Sequence, residues 1–381
     1  MSGDWLRREV QSVAASQQRW TLSLILLLVL CMAKSPPVHY EMPPPQTVVT
    51  TNLKVGVHTR LTDEVEDWKI QTTLSMVREI GAPWAVEYFP WAYIEPEPGH
   101  FAWDHTDSVI AHAENQGVRV IARLGMVPGW ARPAPDEQET TSTYLDAEHY
   151  GDFARFVGTF VARYRGTVHE IIIWNEPNLS FEWGYRPVDP AGYVEMLRAV
   201  YPVAHRASSH IVVLAGALAP TLEPPGSAAG LNDLTFLRRM YTAGAAPAFD
   251  ALAAHAYGLA FAPDVAPAED LINFRRVELL REIMDSHGDE EKLIYITEAG
   301  WNDHPRWSWA VLPSQRVRYT LDAYSWAQEH WAWCPVVAMW MFRTPVLLHN
   351  YQDYYAYVTP DFQVRPIYTA VQAYTGNTPL D

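Results

Sequence analysis

The stretch HEIIIWNEPNLSF, residues His169–Phe181, begins as a strand suited to a dry interior and ends in a carboxylate. Its three consecutive isoleucines, Ile171–Ile173, are apolar and β-branched, as is typical of a parallel strand covered on both faces. Pro177 cannot donate to a ladder of backbone hydrogen bonds, so the strand ends before it. Because a buried unpaired charge is costly, Glu176 indicates that this strand ends at an opening where a carboxylate has a use.

Short apolar runs of the same kind recur from Leu53 onward and alternate with helix-length segments. The predicted strands are Leu53–Val57, Trp84–Tyr88, Val118–Leu124, Glu170–Trp174, Ile211–Ala215, Ala251–His255, Leu293–Thr297 and Val336–Trp340. The predicted helices are Asp67–Ile80, Asp107–Gln116, Ala147–Tyr164, Pro190–His205, Asn232–Ala243, Glu269–Ser286, Pro313–Glu329 and Arg365–Tyr374. Eight such units predict an α/β fold, a (β/α)₈ TIM barrel with inserted loops.

A doubly wound open sheet is the structural alternative to the barrel. Such a sheet is expected to carry a glycine-rich turn after its first strand, where it cradles phosphate groups. The corresponding segment here is VGVHTRLTD, residues 55–63, and its one glycine falls within the strand. The sequence also contains no G-x-S-x-G elbow and no H-x-H pair on the first strand. The barrel is therefore the preferred prediction.

Two of the predicted strands end in carboxylates. The fourth ends at Asn175-Glu176, and the seventh lies in KLIYITEAGW, residues 292–301, and ends at Glu298. In a (β/α)₈ barrel the chemistry takes place at the carboxyl ends of the strands, and the fourth and seventh strands lie across the mouth from each other. A pair of carboxylates that flank one bond is what glycoside hydrolysis requires.

The segments IIIWNEPN (171–178) and YITEAGW (295–301) resemble the acid/base and nucleophile motifs of clan A of the glycoside hydrolases. The segment FPWAYIEPEPGHFAWDHTDSVIAHAENQGVRVIARLGMVPGWA (89–131) is similar to the region between the second and third strands of that clan. The resemblance extends from Leu53 to Tyr374, and families five and thirty-nine are the most similar. It implies a retaining enzyme that cleaves β-linked O-glycosides by double displacement.

The resemblance assigns roles to individual residues. It implies that Glu176 is the general acid/base, that Glu298 is the nucleophile, and that Asn175 hydrogen-bonds the 2-hydroxyl group of the substrate. A contact of this last kind tightens in the transition state. The substrate is an oligosaccharide, polysaccharide or other glycoside, and no metal or cofactor is implied.

Further residues are predicted to bind substrate. His255 and Tyr257, in AAHAYG at the sixth strand, match positions that line the cleft and orient the nucleophile. Trp340, at the end of the eighth strand, matches the floor of the subsite that holds the distorted sugar. The candidate sugar platforms, with packing in the core as the alternative for each, are Trp91, Trp130, Trp301, Trp307 and Trp309.

One position departs from the clan. Its members often carry an arginine near the end of the second strand, close to the nucleophile, where this sequence has Glu87. If Glu87 faces the cleft, it adds a carboxylate that raises the pKa of a neighbouring acid or binds a substrate hydroxyl group. Arg60, after the first strand, and Arg123, on the third, are the candidates to supply the positive charge instead.

The N-terminus predicts export. Thr21–Ala33 is an uncharged apolar run of 13 residues that follows three arginines. A membrane-spanning helix needs about 20 apolar residues, so this run is closer to the core of a signal peptide, with an uncleaved signal anchor as the alternative. Residues 34–51 then read as a proline-rich linker and residues 52–381 as the catalytic domain. The predicted location is secreted or membrane-anchored, with the catalytic domain outside the cytoplasm.

Composition narrows the classes of function. With 49% hydrophobic residues and 19% charged residues, the chain can build a large core. A formal net charge of -16 argues against a nucleic acid partner. The two cysteines, Cys31 and Cys334, show no metal-binding spacing. Two alternatives to the hydrolase stay open, namely a non-catalytic carbohydrate-binding surface protein on the same scaffold and a transglycosylase that uses the same two glutamates.

Overall fold

The computed structural model describes Trp20, Thr21, Met42 and residues 44–132 and 141–377. The chain divides after Pro43 into two units, and every element described below belongs to the second. The predicted signal or anchor segment lies, except for Trp20 and Thr21, outside the described residues. Among the residues that are described, no helix is both long enough and apolar enough to cross a membrane.

Parallel strands form a closed barrel in the order of the chain, which confirms the predicted TIM barrel. The strands are β1 (Val55–His58), β2 (Trp84–Pro90), β3 (Arg119–Gly125), β4 (Glu170–Ile173), β5 (Val212–Leu218), β6 (Ala251–Tyr257), β7 (Ile294–Gly300) and β8 (Val337–Met339). The barrel closes where β1 pairs with β8, for example Gly56 with Ala338. Because every strand points the same way, their carboxyl ends form one mouth.

A helix follows each strand and covers the outside of the barrel. The helices are α1 (Asp67–Glu79), α2 (Asp104–Asn115), α3 (Tyr150–Arg163), α4 (Pro190–Ala207), α5 (Asp233–Thr242), α6 (Val277–Ser286), α7 (Pro313–His330) and α8 (Pro366–Tyr374). Pro190, Pro313 and Pro366 each stand at the first position of a helix, where the missing N–H group has no partner to lose.

One predicted helix, Glu269–Ser286, begins too early, because α6 starts only at Val277. The preceding segment is an ordered loop whose carbonyl groups are bound by side chains. Arg276, paired with the buried carboxylate of Asp233 at 2.9 Å, donates to the carbonyl oxygens of residues 268, 269 and 271. Asn273 donates to those of residues 265 and 266. These carbonyl groups therefore pair with side chains and not within a helix.

The strands separate two apolar layers. Ile171 and Ile173 belong to the layer between barrel and helices, whereas Ile172 belongs to the smaller cluster inside the barrel. This alternation follows from the period of two along a strand. At the next inward positions toward the mouth the apolar cluster gives way to polar and aromatic side chains. They are His58, Tyr88, Arg123, His255, Tyr257 and Trp340.

Candidate active site

A cleft of about 710 Å³ opens at the carboxyl ends of the strands. Five of the predicted site residues line it, namely Asn175, Glu176, Tyr257, Glu298 and Trp340. They come from β6 and β7 and from the residues that follow β4 and β8, so the barrel brings together residues that are far apart in the sequence. Their position at the mouth is where barrel enzymes carry their chemistry.

After β4 the backbone leaves regular strand geometry, so that Trp174 points outward while Glu176 lines the cleft. Because side chains alternate along a strand, Trp174, two residues after the inward-facing Ile172, would be expected to point into the barrel. Trp174 instead has φ 78° and packs against Phe153 and Trp183 in the outer layer. Glu176 has φ 40°, and its backbone N–H donates to the carbonyl oxygen of Ala217 at 3.1 Å. Left-handed residues other than glycine are strained and concentrate at functional sites.

A bulge in β7 directs Glu298 into the same cleft. Ala254 pairs with Ile296, but the next residue of β6, His255, pairs with Glu298, so Thr297 is one residue in excess. In a regular strand side chains alternate between the two faces, so Glu298, three residues after the inward-facing Tyr295, would point toward the helices. The bulge places Glu298 on the same side as His255, and bulges commonly re-aim side chains in this way next to active sites.

Glu298 is held as a carboxylate by donors on both of its oxygens. Arg123 donates to Oε1 at 2.6 Å, and the hydroxyl group of Tyr257 donates to Oε2 at 2.7 Å. Burial opposes the ionisation of Glu298, but the positive charge of Arg123 and the hydrogen bond from Tyr257 favour it, and its pKa stays well below the ordinary value. The positive charge therefore comes from β3, while Arg60 pairs with Asp63 at 2.9 Å.

His255 lies behind the two carboxylates and links them. Its Nδ1 is 2.7 Å from Oε1 of Glu176, and its Nε2 is 3.3 Å from Nη2 of Arg123. Because a guanidinium group can only donate, Nε2 is assigned as the acceptor and Nδ1 as the donor to Glu176. The side chain is fully buried. His255 is not among the residues that line the cleft, while its role in orienting the nucleophile stays a prediction, since its Nδ1 also lies 3.6 Å from Oε2 of Glu298.

Asn175 lines the cleft beside a carboxylate that the sequence analysis missed. Its Nδ2 donates to Oε1 of Glu182 at 3.0 Å, while its buried Oδ1 has no hydrogen-bond partner among the described residues. Burial raises the pKa of Glu182 to about 7, and the negative charge of Glu176 adds to this shift. Glu182 lies in the loop after β4, where nothing in the local sequence pattern points to the cleft.

Glu87 has a structural contact for each oxygen. Oε2 accepts from the hydroxyl group of Thr59 at 2.6 Å and from the backbone of Leu61 at 2.9 Å, and Oε1 accepts from the backbone of Thr62 at 3.1 Å. Burial raises the pKa of Glu87, and these hydrogen bonds oppose that rise. Although Glu87 borders the cleft, its carboxylate is used to hydrogen-bond and position the loop that follows β1.

Two of the tryptophans predicted as candidate sugar platforms pack elsewhere. Trp130 donates its indole N–H to the carbonyl oxygen of Glu95 and lies edge-on against a neighbouring tryptophan ring at 5.2 Å. Trp301 is buried and donates to the carbonyl oxygen of Phe261 at 2.7 Å. Neither side chain lines the described cleft, whereas Trp307 does. The structure thus corrects both predictions to packing roles.

Two carboxylates and a histidine that lie this close together are also typical of a metal site. Glu176, His255 and Glu298 each offer a ligand atom within 4.8 Å of the others, the one such group found among the described residues. However, both nitrogens of His255 already take part in hydrogen bonds, and Arg123 places a positive charge next to Glu298. A cation would have to displace these contacts, so the arrangement is better suited to proton transfer and nucleophilic attack.

The fold occurs in known glycoside hydrolases. A model of glycoside hydrolase family 42, described as beta-galactosidase, matches residues 62–164. A family 39 glycoside hydrolase from the gut symbiont Bacteroides cellulosilyticus has a similar structure, with TM-score 0.69, 21% identity, and coverage of 85% of this chain and 63% of that one. The chain has the fold of a clan A glycoside hydrolase. The resemblance stated from the motifs is confirmed at this level.

Two other solved structures share this clan A fold. A family 39 beta-xylosidase from Caulobacter crescentus has TM-score 0.61 and 17% identity, with coverage of 87% of this chain and 72% of that one. GH5_18 from Streptomyces cattleya, in complex with GlcNAc, has TM-score 0.60 and 14% identity, with coverage of 88% and 80%. This chain spans less than two thirds of the length of the Bacteroides protein. No curated protein sequence matches the chain.

Proposed function

We propose that the protein is a retaining glycoside hydrolase that cleaves β-linked O-glycosides by double displacement. The observation that carries the proposal is the distance between the two glutamates. An oxygen of Glu176 lies within 4.8 Å of an oxygen of Glu298. Retaining enzymes hold their carboxyl groups about 5–5.5 Å apart, whereas inverting enzymes need about 6.5–9.5 Å to admit a water molecule.

In the proposed first step, Glu298 attacks the anomeric carbon while Glu176 gives its proton to the leaving oxygen. The hydrogen bonds from Arg123 and Tyr257 keep Glu298 ionised and aimed. A covalent glycosyl ester forms and the aglycone leaves as an alcohol. In the second step Glu176, now a carboxylate, takes a proton from water, and the hydroxide that results displaces Glu298 and restores the starting state.

The walls of the cleft support a sugar as the substrate. The free Oδ1 of Asn175 can accept a hydrogen bond from the 2-hydroxyl group, since Glu182 occupies Nδ2 and fixes the orientation of the amide. Trp340 borders the cleft and packs edge-on against Tyr257 and Tyr355, at ring-centroid distances of 6.5 and 5.2 Å. Flat rings beside convergent polar groups are typical of small-molecule sites.

The experiment compares two aryl β-glycosides, one with a poor and one with a very good leaving group, in wild type and Glu176→Ala. General acid catalysis is worth about 10²–10⁴ in rate. The variant should lose that factor on the poor leaving group and much less in the first step on the good one, which needs no protonation. Added azide should restore turnover on the good leaving group, because it replaces the water that Glu176 activates. Glu298→Gln should be inactive on both substrates.

The matched control is Glu282→Ala, which removes an exposed glutamate on α6. It should leave both rates unchanged. Equal losses on the two substrates in Glu176→Ala, with no effect of azide, would contradict the assigned acid/base role. Binding of sugars by the wild type without turnover would instead favour a non-catalytic carbohydrate-binding protein.

A further inference from the structure

The cleft carries an excess of negative charge. The described residues that border it include five carboxylic acids and two arginines. Both arginines are paired, Arg60 with Asp63 at 2.9 Å and Arg123 with Glu298 at 2.6 Å. Three acids therefore remain without an arginine partner. A cleft of this sign attracts a cationic ligand and repels an anionic one, such as a uronic acid.

Glu182 is the least compensated of these three acids. Glu87 accepts three hydrogen bonds from the loop after β1, and Glu176 is bound by His255. Among the described residues, Glu182 accepts one hydrogen bond, from Nδ2 of Asn175 to Oε1 at 3.0 Å, and Oε2 accepts none. Burial raises the pKa of Glu182 to about 7, and the negative charge of Glu176 adds to this rise. Keeping this carboxylate ionised is therefore costly unless a ligand supplies a positive charge.

The loop after β4 holds Glu182 in place before a ligand binds. Glu182 lies in a short 3₁₀ turn, Phe181–Trp183. Its carbonyl oxygen accepts from the indole N–H of Trp174 at 2.7 Å, and the carbonyl oxygen of Phe181 accepts from the hydroxyl group of Thr143 at 2.7 Å. The position of the carboxylate is thus set by backbone contacts as well as by its hydrogen bond with Asn175.

Asn175 and Glu182 offer acceptors that are close enough for one small group to bind both. Oδ1 of Asn175 is buried and has no hydrogen-bond partner among the described residues. The two polar atoms of an amide group are about 2.2 Å apart, so Oδ1 lies within about 5 Å of Oε1 of Glu182. A hydroxyl group has one proton to donate, whereas an ammonium group has three donors and can bind both acceptors at once. An ammonium group also supplies the missing positive charge.

We propose that the sugar held over Glu298 is a 2-amino-2-deoxy sugar with a free amine, whose ammonium group is bound by Glu182 and Asn175 together. The inference rests on the proposed glycosidase function, in which Asn175 faces the substituent at the 2-position of that sugar. A 2-hydroxyl group leaves the carboxylate of Glu182 without a counter-charge. An N-acetylated amine is also neutral and leaves the carboxylate in the same state, so both sugars are poorer partners for this site.

The test measures kcat/KM at pH 7 for 4-nitrophenyl β-glycosides in two pairs, glucosamine with glucose and galactosamine with galactose, and for the N-acetylglucosaminide. A 2-ammonium group slows glycoside hydrolysis by its own electron withdrawal, so the ratio of the amino sugar to the neutral sugar is compared between wild type and variant. Glu182→Gln should lower this ratio by about 10–100-fold, the worth of hydrogen bonds to a charged group. Its amide oxygen can still accept from Asn175, so kcat/KM on the neutral glycoside should change little.

Asp63→Asn is the matched control, because it removes another carboxylate that borders the cleft but is paired with Arg60. It should leave the ratio unchanged. An unchanged ratio in Glu182→Gln, or an equal fall in both variants, would overturn the inference. Equal losses on both sugars of a pair would also overturn it, since Glu182 would then only orient Asn175.

The failure of this inference is distinguishable from the failure of the proposed function. A wild type that cleaves the neutral or N-acetylated glycosides but not the amino sugars would overturn the inference and leave the proposed function in place. A wild type that cleaves none of these glycosides would overturn both.

Discussion

Arg123 and Glu298 stand on opposite sides of the barrel, on β3 and β7, and meet across its mouth at 2.6 Å. Both side chains are more than nine-tenths buried. A buried ion pair loses much of its Coulombic gain to desolvation, so its presence is weak evidence for a stabilising role. What this pair does achieve is a carboxylate that stays ionised inside a protein.

We predict that Arg123→Met moves the acid limb of kcat/KM to higher pH, by about one unit or more. Arg123 keeps the pKa of Glu298 below its ordinary value, so removing the charge lets that pKa rise. Glu298, the proposed nucleophile, is then protonated, and activity is lost, at a higher pH than in the wild type. Arg60→Met is the control, because Arg60 also borders the cleft but pairs with Asp63. An unshifted acid limb in Arg123→Met would contradict the prediction.

Tyr257→Phe should lower kcat/KM by about 10–100-fold, the worth of a hydrogen bond to a charged group. The substitution removes the donor to Oε2 of Glu298 and keeps the ring that packs against Trp340. Tyr355→Phe is the matched control, since Tyr355 borders the same cleft and packs on the same ring. Steady-state kinetics that show equal losses in both variants would mean that the Tyr257 hydroxyl group has no special role.

Glu182→Gln should be more stable than the wild type at pH 8 and equal to it near pH 4. Burial raises the pKa of Glu182 from 4.5 to about 7, so the folded state binds a proton that the unfolded state releases. The wild type therefore loses stability as pH rises from about 4.5 to 7. The amide of the variant does not titrate, so the variant avoids this loss of roughly 1–3 kcal/mol in the free energy of unfolding. Urea unfolding across this range measures the difference. Glu282→Gln, at an exposed site on α6, should show no such pH-dependent gain.

Glu87→Ala should destabilise the fold by about 2–4 kcal/mol, because three buried or partly buried donors lose their acceptor. The donors are the Thr59 hydroxyl group and the backbone N–H groups of Leu61 and Thr62. Thermal unfolding should show the loss, while the pH limbs of any remaining activity stay in place. Glu97→Ala, at an exposed glutamate in the loop after β2, is the control. A variant with unchanged stability and a shifted pH profile would contradict the prediction and indicate that Glu87 takes part in catalysis.

The architecture was predictable because the apolar runs and helical segments alternate along the whole barrel. Isoleucines 171–173 indicated a strand buried on both faces, and Ile172 and its neighbours do lie in the two layers. The prediction went wrong at residues 269–276, where the side chain of Arg276 binds the carbonyl groups of residues 269 and 271, which helical propensity had assigned to a helix. Such long-range side-chain contacts leave no trace in local periodicity.

The site was predictable only where a motif fixed the position. Asn175, Glu176 and Glu298 carry clan A motifs, and all three border the cleft. The choice between Arg60 and Arg123 as the positive charge depended on a distance across the barrel, which sequence spacing does not contain. The same holds for Trp301, since an indole ring has the same composition in a core and in a sugar platform.

The wall of the cleft formed by the loop after β6 illustrates how this molecule meets its ligand. Leu259 and Ile272 border the cleft from that loop, and Arg276 and Asn273 hold its carbonyl groups. A wall tied down in this way is ordered before any ligand arrives, so little conformational freedom is left to lose on binding. Under the proposed function, this wall selects a glycan by a shape that is set before the ligand binds.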